Sequence, residues 1–143
     1  MNFFSDLRIS ASGMKAERKR MDIISNNIAN INNPQTPGER VFQTQRLITK
    51  SGAPKFNNWL AGFRVMPGKG VEVTGIVEDS TPPRMSFEPG NPLADSEGYV
   101  AYPGVSMIDE MVRAMSASRS YDANLTAFNE TKRMFNRALE IGK

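Results

Sequence analysis

Two long stretches of this 143-residue chain repeat apolar side chains at helical spacing, and the stretch between them does not. In the first, Leu7, Met14, Met21 and Ile28 recur every seven residues. Phe4 and Ala11 flank that line on one side, Ile24 and Ile31 on the other. A straight 3.6-residue helix drifts in this way against a seven-residue grid. The pattern predicts a helix over about 3–32, roughly 45 Å long at 1.5 Å per residue. Asn32-Asn33-Pro34 supplies residues that tolerate a left-handed cap, then a proline to stop the helix. The second stretch places Ile108, Met111, Met115, Leu125, Phe128, Phe135 and Leu139 at three- and four-residue steps, widened by Val112 and Ala138. Ser106 is its expected N-cap, with Asp109 making a near capping box. A helix of about 35 residues would span roughly 50 Å.

A single narrow apolar stripe on each of two such helices reads as a coiled-coil seam. The expected fold is therefore mainly α with a small β-rich insertion. An antiparallel coiled coil of the N- and C-terminal helices carries an irregular β middle domain. The seam comprises Leu7, Met14, Met21, Ile24, Ile28, Ile31, Ile108, Met111, Met115, Leu125, Phe128, Phe135 and Leu139. All nine prolines lie between Pro34 and Pro103, which rules out continuous helix there. Three segments follow: 1–33 and 104–143 as the helices of an inner coiled-coil domain, and 34–103 as loop plus β-rich middle. "VFQTQRLIT" (41–49) and "VEVTGIV" (71–77) have the β-branched content of strands, while "MPGKG" (66–70) and "TPPR" (81–84) read as turns.

Composition narrows the chemistry. The chain has no cysteine and no histidine, which excludes disulfide scaffolds, thiolate metal sites, thiol nucleophiles and imidazole bases. Its 18 basic and 15 acidic residues leave +3, too little by itself to indicate nucleic acid. The run "KAERKR" (15–20) could touch phosphates. It carries no interleaved aromatic, so a solvated helix face is the simpler reading. "GFRVMPGKG" (62–70) has the wrong spacing for a phosphate loop and no Ser or Thr after its lysine. "ADSEG" (94–98) lacks the remaining ligands of a calcium loop and reads as a turn. No apolar run suffices for a membrane span, and the first fifteen residues do not form a cleavable signal peptide. Neither an enzyme nor a cofactor, metal or small-molecule substrate is expected; the role is structural.

The ends then become specific. "ISASGMKAERKRMDIISNNIANINN" (9–33), centred on Ser25-Asn26-Asn27-Ile28-Ala29-Asn30, resembles the N-terminal signature of the flagellar axial proteins. "EMVRAMSASRSYDANLTAFNETKRMFNRALEIG" (110–142), centred on Arg119, Ser120, Tyr121, Ala123 and Asn124, is similar to their C-terminal signature. The short middle and "FEPGNPLADSEGYVAYPGVSM" (87–107) look like those of a proximal basal-body rod subunit. The resemblance implies a structural subunit that assembles into a helical tube. That tube transmits torque and forms part of the export channel. It implies partners among other rod subunits, copies of the same chain, membrane-ring and rod-adaptor proteins, and the flagellar type III export apparatus. It places the chain in the periplasmic rod, exported without a cleaved signal. Asn26, Asn27 and Asn30 are expected subunit contacts, because an amide donates and accepts without the desolvation cost of a charge; Arg119, Tyr121 and Asn124, at the centre of the second signature, are the contacts that the resemblance implies there. The alternative is a small basic coiled-coil protein that binds nucleic acid through residues 15–20.

Overall fold

The computed structural model describes residues 3–34, 40–52 and 70–141. Helix α1 spans Phe3–Asn30 and α2 spans Met107–Ile141. Between them lie β1 (Thr44–Ser51), β2 (Val71–Asp79), β3 (Arg84–Phe87) and β4 (Tyr99–Tyr102). The architecture is the expected one: two long terminal helices packed together around a small antiparallel insertion. The strands make two separate two-stranded ribbons, β1–β2 and β3–β4. β1 and β2 fall where the β-branched runs placed them, whereas β3 and β4 carry no such signal. The turn "MPGKG" and the loop "GFRVMPGKG" lie, apart from Gly70, outside the described residues.

The helices run antiparallel. Asn27 bonds Glu110 across the pair, and Gly13 lies against Asn124, so the two contacts are equally spaced along both helices. α1 contributes Gly13, Ala16, Ile23, Ile24 and Asn27 as buried positions, the turn after it contributes Ile31, and α2 contributes Glu110 and Ala117. Small side chains let the axes come close. A Cβ on Gly13 would lie 2.8 Å from the Asn124 amide oxygen.

α2 departs from the expected seam. Ile108, Met111, Met115 and Leu125 are exposed rather than packed on α1. At about 100° per residue, Ile108, Met111 and Met115 lie on the side opposite Glu110, Ala117 and Asn124. The close approach selects α2's small and polar face, and the bulkier stripe is left outside. Phe128 is half-buried on the inner face, whereas Phe135 and Leu139 are exposed. In this register Phe3 falls opposite Met134, so the last turns of α2 run past the start of α1. Ile24 on α1 and Ile31 just beyond it are buried, while Leu7, Met14, Met21 and Ile28 are half-buried.

The helix ends follow local rules. Ser106 Oγ accepts the Asp109 N–H at 3.3 Å, the expected N-cap of α2. α1 closes differently from expectation. Ile31 and Asn33 donate to the carbonyls of Ile28 and Asn30, three residues back. Among the described residues no non-glycine has positive φ. A tightened 3₁₀-type last turn satisfies the carbonyls without a left-handed residue.

The β1–β2 ribbon lies along α1 and is pinned at both ends. Near one end Asn27 holds Gln45; near the other Ser12 Oγ accepts the Val71 N–H at 3.0 Å. Fifteen helical residues and six extended ones both cover roughly 20 Å, so helix and strand stay in step between the pins. Gly70, at φ 85, brings β2 against Ser12; a Cβ there would run into the Ser12 side chain. A register shift at Ile48/Thr49, opposite Gly75, bends the ribbon. Within β3–β4, Phe87 meets Tyr99 edge to face at 5.3 Å and Arg84 lies over the Tyr102 ring at 5.5 Å. Both are directly opposed pairs in the register.

Candidate functional site

Among the described residues, the asparagine-rich end of α1 holds a polar node that joins three elements. Asn27 is 1% exposed, yet its amide oxygen and nitrogen are both bonded. Its Oδ1 accepts the Gln45 N–H at 3.0 Å, and its Nδ2 donates to the Gln45 carbonyl at 2.9 Å. It thus does for the free edge of β1 what a neighbouring strand would do. The same Nδ2 donates to Glu110 Oε2 at 3.1 Å. Glu110 is itself 3% exposed, and its Oε1 lies 3.8 Å from Arg113 Nε. One amide therefore ties three elements together: α1, β1 and α2.

The expected subunit contacts divide accordingly. Asn27 faces the interior of its own chain, where its amide nitrogen donates twice and its oxygen accepts once. Asn124 is half-buried against Gly13 and donates to the Ser120 carbonyl at 2.8 Å. Tyr121 is half-buried on the same side. Asn26 is exposed and donates to Gln45 Oε1 at 3.2 Å, while Asn30 donates back to the Asn26 carbonyl and side chain. Arg119 is exposed. Sequence reasoning missed Glu110, reading it only as a first-turn acid. Its signal was the line Glu110, Ala117, Asn124, which repeats every seven residues with small or amide neighbours.

A shallow cavity of about 160 Å³ opens beside this node, lined by Ile23, Ile24, Leu47 and three arginines, Arg20, Arg46 and Arg113. Each arginine already has an acid: Glu17 at 3.0 Å, Asp79 at 2.7 Å and Glu110 at 3.8 Å. In the run 15–20, Ala16 is buried and Arg20 pairs with Glu17, while Lys15, Arg18 and Lys19 are exposed. In the 94–98 segment, Asp95 Oδ1 accepts the N–H groups of Glu97 and Tyr99 at 2.9 Å each. That carboxylate builds a turn.

The outer side of α2 carries an exposed apolar stripe. Ile108 is 75% exposed and Met115 56%, with Met111 and Val112 beside them. These four make a continuous stripe over two turns. No helix among the described residues is long and apolar enough to cross a membrane.

A buried polar node that fixes two long helices, with an apolar stripe left outside, defines a structural subunit. Comparison with known proteins agrees. A family model for the flagella basal body rod protein matches residues 7–38, and one for the flagellar basal body rod FlgEFG protein C-terminal matches 96–141. Flagellar basal-body rod protein FlgC of Borreliella burgdorferi is 39% identical, covering 99% of this chain and 98% of its own. FlgC of Bacillus subtilis is 39% identical over the whole of both chains, and that of Salmonella typhimurium 34% over 94% of each. The chain belongs to the flagellar basal-body rod proteins, in the FlgC family. It is a structural component of the basal-body rod, in a family that is not enzymatic, and it assembles with other rod subunits. The relatives give the nucleic-acid reading no support.

Proposed function

We propose that the α1–α2 pair is the inner, assembling part of the subunit and that residues 34–103 form an outer part, docked on α1 through the β1–β2 ribbon. The exposed stripe of Ile108, Met111, Val112 and Met115 is the observation that carries this reading. A monomer gains nothing by leaving four large apolar side chains in water on a helix whose inner face buries a glutamate. A neighbouring helix pair gives the stripe a use. Methionine's flexible thioether suits a surface that meets different neighbours. Asn26 and Arg119, exposed, and Asn30, half-buried, lie at the two signature centres and extend the contact area. Within the rod the subunit carries torque and walls part of the export channel. Membrane-ring and rod-adaptor proteins and the type III export apparatus are its further partners.

The test is Met111→Asp with Met115→Asp. Both positions are exposed, so folding should shift by no more than about 0.5 kcal/mol, as surface changes do. Incorporation into isolated rods should drop to background, with motility lost. Intact rods containing the doubly substituted chain would remove the stripe from the assembly surface.

A further inference from the structure

Hydrophobicity alone does not explain which way α2 faces. Its apolar stripe points outward, while the side packed on Ile23, Ile24 and Asn27 presents Glu110, Ala117 and Asn124. Turning α2 by about half a revolution would bury Ile108, Met111, Val112 and Met115 instead. Small side chains alone do not fix the axial position either, since Ala114, Ala117, Ser118 and Ser120 offer similar surfaces one turn apart.

The Asn27–Glu110 bond distinguishes these arrangements. In the observed register the Glu110 carboxylate receives the Asn27 amide at 3.1 Å, and Asn27 is itself held by both backbone groups of Gln45. Among the described residues no buried side-chain polar atom lacks a partner. A slip of one turn would carry Glu110 opposite Ile23, Ile24 or Ile31, none of which has a side-chain donor, or opposite Asn30, whose amide is turned back onto Asn26 and is not held by Gln45. A buried carboxylate without its hydrogen bond is strongly disfavoured. A half-turn would put the bulky stripe against Asn27 and open the close approach at Gly13.

We propose that Asn27 and Glu110 form a lock that sets the register and facing of α2, holding the apolar stripe outward. Because Asn27 is anchored to β1, the lock also fixes the β1–β2 ribbon relative to the helix pair. It resembles a buried polar residue in a coiled coil, which specifies one pairing at some cost in stability. The value of an outward stripe rests on the assembly reading above; the lock itself is a property of the free chain.

The chain has no cysteine, so introduced thiols report without background. Gly13→Cys with Asn124→Cys reads the register by disulfide formation. Met115→Cys reads the facing by maleimide labelling. Both are placed in the full-length chain carrying Asn27→Leu and Glu110→Leu, and in one carrying Glu110→Gln, which keeps an acceptor for Asn27. The Gln variant should behave as the parent. The Leu pair should stay helical and folded, melting only slightly lower as the Gln45 backbone groups that Asn27 served turn to water. Its disulfide yield should fall severalfold, and labelling at residue 115 should slow about tenfold. An unchanged disulfide and labelling rate would overturn the lock. So would unfolding of the Leu pair, which would make the node a stability element rather than a selector. Neither readout involves rod assembly, so failure here leaves the assembly reading to its own test.

Discussion

Gly13 shows how a single position decides the helix spacing. Glycine inside a helix costs roughly 1 kcal/mol relative to alanine, yet here it admits the Asn124 side chain to van der Waals range. The opposing terms set an expectation. For Gly13→Ala the propensity gain should offset the displacement of a terminal amide, leaving stability within about 0.5 kcal/mol of the parent. Gly13→Leu should cost about 1–3 kcal/mol through overpacking. Urea unfolding of the two variants measures both; equal stabilities would mean the helices do not approach closely at this point. Gly13 is visible in the sequence only as a glycine out of place. What it makes room for lies more than a hundred residues away in the chain.

At the scale of elements, the β3–β4 hairpin carries the titrating groups that matter. Asn91 donates to Glu88 Oε2 at 2.9 Å, and Tyr102 donates its phenol hydrogen to the same carboxylate at 3.2 Å. The Asn91 bond, joined by the Tyr102 bond and the charge of Arg84, holds Glu88 below its ordinary 4.5 against partial desolvation. Desolvation and then the Glu88 carboxylate push Tyr102 above 10.0. A lowered carboxylate stabilises the fold above its unfolded value and loses that contribution as pH falls through the folded one. A raised phenol contributes below its unfolded value and loses it as pH rises through the folded one. The hairpin should therefore be firmest between the two limits and loosen on either side. NMR titration of Glu88 and Tyr102 checks this; an unshifted Glu88 in the intact hairpin would contradict it. Tyr102→Phe should move the Glu88 midpoint upward while Asn91 keeps it below normal. Sequence reading found neither β3 nor β4, because four-residue strands give too short a run for alternation to show. Cross-strand pairing and the loop bonds of Asn91 and Asp95 make them.

For the whole molecule, the small core is the governing fact. The buried apolar residues among those described are Ala16, Ile23, Ile24, Ile31, Val100 and Ala117, two of them alanines. Such a core holds the asparagine-rich end of the helix pair more firmly than the end where α2 runs past α1. In the free chain, amide exchange should be slowest in α2 between Glu110 and Asn124 and fastest between Met134 and Ile141, where α2 outruns α1. Incorporation into rods should slow exchange at both the stripe and the overrun, because a partner that binds only the folded state stabilises it. Uniform protection along α2 in the free chain would contradict this distribution.

By itself the sequence determined that two long helices close the chain at its ends and that the proline-bearing middle cannot join them. Periodicity and proline placement are local properties, and they suffice for that. Its two terminal signatures likewise pointed to the rod proteins before any fold was seen. The sequence did not determine which side of α2 meets α1, because a hydrophobic stripe counts as a seam wherever it occurs along a chain. Only the tertiary structure decided that, by setting small side chains and the Asn27–Glu110 bond in the seam and leaving the stripe outside. The fate of the asparagines was settled in the same way. Asn26 and Asn27 are adjacent and chemically identical, yet one is exposed and the other sealed between a strand and a glutamate. The difference is a rotation of about 100° on the helix, and it has meaning only once β1 and α2 are in place.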